Sequence, residues 1–335
     1  MPDWKSYLNS DPTDWLLEED NPSVRYFTLL EILERLNNDS EVKETKKQIM
    51  ENGAVPKILS KQHKKGYWDD PAKFYRAKYK GTVWQLIILA ELGADGNDER
   101  VKKACEFILA RSQDTDSGGF SYDEGKKIPG GLPGTVIPCL TGNMVYSLIR
   151  LGYLADPRVQ HGIEWLTTYQ RFDDGVKSWE KGWKYESLKG CFSKHSCFMG
   201  AAKTLKALAE IPPKERSKAV KQTIEDATEF FLIHHIHKKS HDLKKKSKPG
   251  WIRFGFPLMY QTDVVELMGL LTKLGIKDPR MQDGMDAILK RQDDNGRWNL
   301  NSTFNGRFQT NIEQKNKPSK WVTLHALRVI KRYYS

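Results

Sequence analysis

The sequence predicts an all-α protein assembled from repeated helix pairs. Three observations carry that expectation. Gln62-His-Lys-Lys-Gly66-Tyr-Trp68 returns as Gln292-Asp-Asp-Asn-Gly296-Arg-Trp298, a Q-x-x-x-G-x-W turn. Leu-Gly stops at Leu92-Gly93, Leu151-Gly152 and Leu274-Gly275 run in phase with Asp-x-Arg starts at Asp98, Asp156 and Asp278. Between stops and starts, apolar residues fall at helical spacing, as in Val101, Cys105, Ile108 and Leu109.

Each element follows from local chemistry. Gly ends a helix because it takes the left-handed conformation without steric cost. Asp then caps the next helix, and Pro157 and Pro279 suit its first turn. Looser Q-turns occur at Gln113…Gly119-Phe120 and Gln170…Gly175…Trp179. The Gln spacings are 51, 57 and 122, so one copy is expected near position 231, where His234-His235-Ile236-His237 and then Trp251 stand. The helices before each Leu-Gly (Thr82–Leu92, Thr141–Leu151, Cys197–Leu208, Asp263–Leu274) are apolar on more than one face. Such helices are buried on both sides, so each pair has an inner and an outer member. Repeated pairs of this kind stack into a solenoid or close into a ring.

The Gln…Gly-x-Trp turns resemble the QW repeats of the terpenoid cyclase and protein prenyltransferase superfamily. That resemblance runs from about Asn21 to Tyr334 and implies a single α/α toroid, some six helix pairs with parallel inner helices. Residues 1–20 are expected to form an N-terminal arm and residues 236–250 a basic loop within one domain. The turn itself reads as fold cement. Its Gln amide bonds backbone groups at neighbouring helix ends, and its Trp packs alongside.

In such a ring the positive dipole ends of all inner helices face one mouth. Counting back from each Leu-Gly places Gly81, Leu140, Cys197 and Asp263 there, with Lys80, Cys139, Ser196 and Thr262 one residue earlier. Tyr79, Pro138, His195 and Gln261 come one residue before those, and Cys191 lies just outside. Cys139, Cys191, His195 and Cys197 would thus supply three thiolates and an imidazole, a donor set suited to tetrahedral Zn²⁺. The alternative is a set of small buried thiols and a polar cap. The prenyltransferase resemblance implies catalytic zinc at this mouth, with Cys191 matching the zinc-binding Cys of an Asp-Gly-Cys-Tyr-Ser motif. Lys189 stands where that motif has Asp, and Met259-Tyr260-Gln261-Thr262-Asp263 stands where the family has its His. No D-x-D-D run of a class II cyclase occurs, and Asp263 is the one acid on the indexed ring, the candidate catalytic residue. Arg253, Arg307 and Lys320, with Tyr79 and Lys80, are candidates for holding a diphosphate. Trp84, Tyr260 and Trp321 are candidates for lining an apolar cavity.

The chain has 335 residues, 54 Lys and Arg against 43 Asp and Glu, and so a net charge of +11. That favours an anionic partner without naming one. Six lysines sit between Lys238 and Lys248, a run that reads as a solvated loop. No apolar run approaches the ~18 residues of a membrane span. The start, Met1-Pro2-Asp3-Trp4, has no signal-peptide character, and a cytoplasmic location is the expectation. Four cysteines are too few for a disulfide scaffold. No P-loop, GxGxxG, HExxH or GxSxG motif and no nucleic-acid recognition motif is present. The leading expectation is therefore a toroid with a Cys/His zinc site and a cavity for an isoprenoid-like or phosphate-bearing ligand. The competing one is a non-catalytic toroid, with a structural metal or none, whose cavity or rim binds a protein or other partner.

Overall fold

Apolar helical periods and capped starts produce an almost wholly helical chain. A computed structural model describes residues 3–175, 183–188 and 190–335. Trp179 of the third Q-turn and Lys189 before Cys191 lie outside the described residues. The α-helices are α1 (Thr13–Leu16), α2 (Pro22–Phe27), α3 (Ser40–Glu51), α4 (Ala54–Leu59), α5 (Thr82–Glu91), α6 (Glu99–Arg111) and α7 (Pro138–Arg150). They continue as α8 (Pro157–Tyr169), α9 (Phe198–Leu208), α10 (Lys218–Ile233), α11 (Val264–Lys273), α12 (Gln282–Leu289) and α13 (Lys320–Tyr334). A π turn, Thr28–Ile32, prolongs α2.

The expected inner helices are α5, α7, α9 and α11, and each is covered on most of its circumference. Every residue of α5 is buried. Along the row, α5 packs on α7, α7 on α9, α9 on α11 and α11 on α13. Helix α13 packs in turn on α2 and its π turn. The Phe27 ring of α2 lies against Gly93 at the end of α5. Outer helices α3, α6, α8, α10 and α12 each back an inner neighbour.

The repeated signals do repeated work. Asp98, Asp156 and Asp278 each accept a hydrogen bond from the backbone N–H two residues on, at Arg100, Arg158 and Arg280. The arginines fold back onto those carboxylates, and Arg158 and Arg280 also reach Glu106 and Glu229 on the preceding outer helix. Gln62 donates to the Arg100 carbonyl at 2.8 Å, and Gln113 to the Arg158 carbonyl at 2.6 Å. Each therefore ties its turn to the start of the next outer helix. Trp68 and Trp298 donate through Nε1 to the Ile58 and Ile288 carbonyls, both at 2.8 Å. The fourth Gln, Gln170, does not follow the pattern. It turns to the Arg171 carbonyl and accepts from Thr204 at 3.3 Å.

The arm takes the place of an outer helix for α13. Gln292 donates to the Tyr7 carbonyl at 2.9 Å and accepts from the Asn9 N–H at 2.8 Å. The equivalence extends to the turn glycines, where the chain approaches so closely that a Cβ cannot fit. A Cβ on Gly66 would lie 2.4 Å from the Lys103 carbonyl oxygen, one on Gly118 2.4 Å from that of His161, and one on Gly296 1.9 Å from that of Ser10. Lys103 and His161 sit at the same place in α6 and α8, so Ser10 stands in for that outer-helix residue. Tyr7 also stacks on Tyr334 at 3.6 Å.

One expected segment differs. The basic run is not an open loop but contains a short antiparallel hairpin, β1 (Lys238–Lys239) with β2 (Asp242–Lys246). The expected Q-turn copy near position 231 has no counterpart to the Gln bridge. There α10 ends in left-handed His235 and Ile236 instead. Among the described residues, no helix is long and apolar enough to cross a membrane.

Gly296→Ala combines a left-handed backbone (φ 68°) with the Ser10 clash. Gly275→Ala has a similar φ of 78° and nothing within 4 Å. We expect both to lose stability in urea unfolding, Gly275→Ala by about 1 kcal/mol and Gly296→Ala by clearly more. Only Gly296→Ala should speed proteolysis within residues 3–20. Equal losses would show that the arm does not press on this turn.

Candidate functional site

The residues predicted from sequence do gather at the inner-helix starts, but mostly as structure. Cys139 lies in the first turn of α7, Cys197 caps α9 and Cys191 precedes it. Burial, then the neighbouring Cys197, pushes the Cys191 thiol up to about 11. Burial, then Cys191 and Cys197, drives Cys139 up as well. The three sulfurs are thus within electrostatic reach of one another. His195 does not join them. Its Nδ1 is 3.0 Å from Asp174 Oδ1, and the same oxygen lies 3.7 Å from His234 Nε2. Among the described residues, no group of three or more His, Cys, Asp or Glu has an arrangement that could hold a metal ion. Among those residues, Cys139, Cys191, His195 and Cys197 do not form such a group, and the expected zinc site has no support there. Burial keeps Cys139 and Cys191 in the neutral thiol form, and His195 is paired with Asp174.

Asp263 caps α11 rather than facing a cavity. Its Oδ1 accepts from the Glu266 N–H and its Oδ2 from the Gly255 N–H, both at 2.9 Å. Burial pushes this carboxyl up to about 7 against those two bonds. Both oxygens of the expected catalytic residue are thus engaged by backbone donors.

The candidate ligand residues divide similarly. Lys320 is buried and paired with Glu18 at 2.7 Å and with Asp20. Its ammonium is thus already engaged by two carboxylates. Trp321 stacks on Phe256 at 4.2 Å, and Tyr79 stacks on Phe304 at 3.9 Å. Both rings are core, as is Trp84, whose Nε1 donates to the Tyr75 carbonyl at 2.9 Å. Arg307 lies over Tyr79 at 4.9 Å and donates to the Lys78 carbonyl at 3.4 Å. Arg253 and Lys80 are exposed on loops, and Tyr260 is half-buried beside Trp84. Tyr79, Trp84, Tyr260 and Arg307 therefore come together, whereas Lys320 is engaged by Glu18 and Asp20 and Trp321 by Phe256.

Sequence reasoning missed a cavity at the C-terminal ends of the inner helices, where Glu91, Arg150, Lys206 and Lys273 stand. Its volume is about 400 Å³. Arg150, Lys206, Lys273, Arg328 and Arg332 line it, facing Glu31, Glu91, Glu210 and Glu266. Phe27, Phe256, Leu258, Val265 and Leu270 supply an apolar wall. The π turn after α2 presents Glu31, which binds Arg328 at 2.7 Å and Arg332 at 2.8 Å. Glu266 on α11 takes Lys203 at 2.7 Å and Lys206 at 2.9 Å, both from α9. Lys206 also pairs with Glu91 on α5. Glu210 takes Lys273 at 2.6 Å, while Arg150 stays 3.8 Å away and lies over Phe27. Arg328 Nε is buried without an acceptor. The available signal was a charge inside an all-round apolar helix, as at Glu91, Lys203, Lys206 and Glu266.

The cavity's titration follows from this pairing. Burial alone would raise Glu266, but Lys203 and Lys206 overcome it and hold the carboxyl at about 2. Glu31 and Glu91 are likewise held below the usual range by their cations despite burial. Burial, then Arg328, pushes His325 down to about 3, so the imidazole on the cavity wall is neutral.

No family model matches the chain, and neither does any curated protein. Several solved structures align with it. One is an arginine variant of the type II terpene cyclase MstE from Scytonema, in complex with geranylgeranyl dihydroxybenzoate. It is 17% identical, with 94% of this chain and 86% of that chain covered and a TM-score of 0.41. The apo form of a tyrosine variant of the same cyclase is 15% identical, with 87% and 98% covered and a TM-score of 0.30.

Two outcomes are expected. Asp263→Ala should cost about 1–2 kcal/mol as a lost cap, and Asp263→Asn distinctly less. A large loss on Asp263→Asn, measured by urea unfolding, would assign the carboxylate another role. The second concerns acid. His325 is neutral when folded but gains a proton below about 6.5 when unfolded. Its contribution is therefore present above pH 6.5 and lost as pH falls towards 3, and that of Glu266 is lost between 4.5 and 2. Asp263 works in the opposite sense between 3.8 and 7. His325→Gln should therefore flatten the stability loss between pH 6 and 4.5, by up to about 1.4 kcal/mol per pH unit. An unchanged pH profile would mean that the imidazole is protonated in the fold.

Proposed function

We propose that the helix pairs close into an α/α toroid and that the charged cavity binds a small amphipathic anion, with isoprenoid diphosphates as the class to test. The observation that carries this reading is the surplus of donors on the wall. Five cations face four carboxylates, Arg150 makes only a 3.8 Å approach to Glu210, and Arg328 Nε has no acceptor. A buried guanidinium N–H without a partner is costly, and a phosphate or carboxylate oxygen relieves it. The apolar side formed by Phe256, Leu258, Val265 and Leu270 suits a hydrocarbon chain. The volume falls within the roughly 300–1,000 Å³ of small-molecule sites.

Ring closure is supported by the packing of α13 on α2, and by the arm standing where an outer helix otherwise would. Binding without proton-initiated cyclisation is the form of the activity favoured by the wall. Each of its four carboxylates is ion-paired, and an acid catalyst must instead hold a proton near neutral pH. The protein is thus read as a binding scaffold.

Calorimetric titration with farnesyl diphosphate tests the reading. The wild type is expected to bind, and Arg150→Leu to bind about ten-fold or more weakly, the loss of one charge-assisted contact. Arg253→Ala and Lys80→Ala on the outer loops should change nothing. No binding to folded wild type, or equal weakening by the loop variants, would reject the cavity as the site.

A further inference from the structure

A second site lies at the helix-start end, apart from the charged cavity. The Lys78 ammonium lies 4.9 Å from the centre of the Tyr75 ring, 4.8 Å from Tyr260 and 5.8 Å from Trp84. The three rings are close to one another, Tyr75 5.0 Å from Trp84 and Trp84 6.2 Å from Tyr260, edge on. They are also fixed. Trp84 Nε1 is bonded to the Tyr75 carbonyl at 2.9 Å, and Tyr260 Oη lies 3.5 Å from Tyr79 Oη. Tyr75 and Lys78 also line a surface hollow of about 680 Å³, together with Arg76, Tyr122, Ile137 and Cys191, and Arg76 there is paired with Asp123. Trp84 and Tyr260 stand behind that wall, so Lys78 and Tyr75 lie between the hollow and the other two rings.

We propose that Tyr75, Trp84 and Tyr260 form an aromatic cage for a quaternary ammonium compound, a place now held by the chain's own Lys78. The ring faces attract any cation. What selects the class is the lack of acceptors. Among the described residues, the Lys78 ammonium forms no ion pair and no hydrogen bond, and its side chain is half-buried. A primary ammonium loses part of its donors' hydration there without gaining an acceptor. A trimethylammonium group has no donors to strand and presents a larger apolar surface to the same rings. A metal ion needs a full set of oxygen ligands, and of the three rings only the two tyrosines carry an oxygen. Lys78 competes with any visitor because it is tethered, at an effective concentration in the millimolar range. The wild-type site is therefore weak and the unplugged one stronger.

Choline, followed by isothermal titration calorimetry on the full chain, is the probe. Lys78→Ala, checked for helicity by circular dichroism, is expected to bind choline about ten-fold or more tightly than the wild type. The uncharged carbon isostere, dimethylbutanol, should bind about ten-fold more weakly than choline, because the ring faces reward charge. Adding Tyr260→Leu to Lys78→Ala should remove choline binding while an unchanged circular dichroism spectrum reports an intact fold. Should Lys78→Ala not fold, the wild type answers by nuclear magnetic resonance. Saturable choline-dependent shifts of the Tyr75 and Tyr260 ring protons support the cage. Absence of those shifts, equal binding of the isostere, or undiminished binding in the Tyr260→Leu background overturns it.

Discussion

Two lysines on α9 set the terms for the centre of the molecule. Lys203 is wholly buried and Lys206 nearly so, and a buried ammonium without a partner costs several kcal/mol. Glu266 from α11 answers both, and Glu91 from α5 answers Lys206. Three inner helices are thereby held at fixed separation by charges that tolerate little drift. Hydrophobic burial alone would let these helices slide to fill the space between them. The ion pairs prevent that and leave a void with a polar wall.

The same requirement shapes the far side of the cavity. Glu31 satisfies Arg328 and Arg332, and it stands on a π turn. An extra residue in a helical turn re-aims the side chains that follow it. The cost of that irregular turn is offset by the two guanidinium contacts it permits. Its consequence is a site rich in fixed charge, suited to holding an anion in place and poorly suited to delivering a proton.

How much of this was legible depends on the range of each interaction. The helix pairs, their Leu-Gly ends and the Asp caps were readable because they are written within a few residues, as at Asp156 with Arg158. The mouth was readable as a register, and Cys139, Cys191 and Cys197 do come near each other there. Side-chain direction was not readable. His195 turns to Asp174, 21 positions away in sequence, and Asp263 spends both oxygens on backbone. The charged cavity was least visible, because its pairs join residues such as Lys206 and Glu91 that share no local pattern. Trp84 and Tyr260, both candidates from the sequence, stand 6.2 Å apart across 176 positions, a contact that no local pattern encodes.

The arm has a consequence for the order in which the chain can assemble. Its partners, Gln292, Gly296 and Tyr334, are separated from it by nearly the whole sequence. Neighbouring pairs can dock as soon as two of them exist, but the seam is a long-range contact whose closure entropy is met only when both ends are in place. Until then α13 lacks its cover on one side and the arm has nothing to lie on. The contact between the arm and the last repeat is therefore the last joint to form and, by the same reasoning, the first to open under strain.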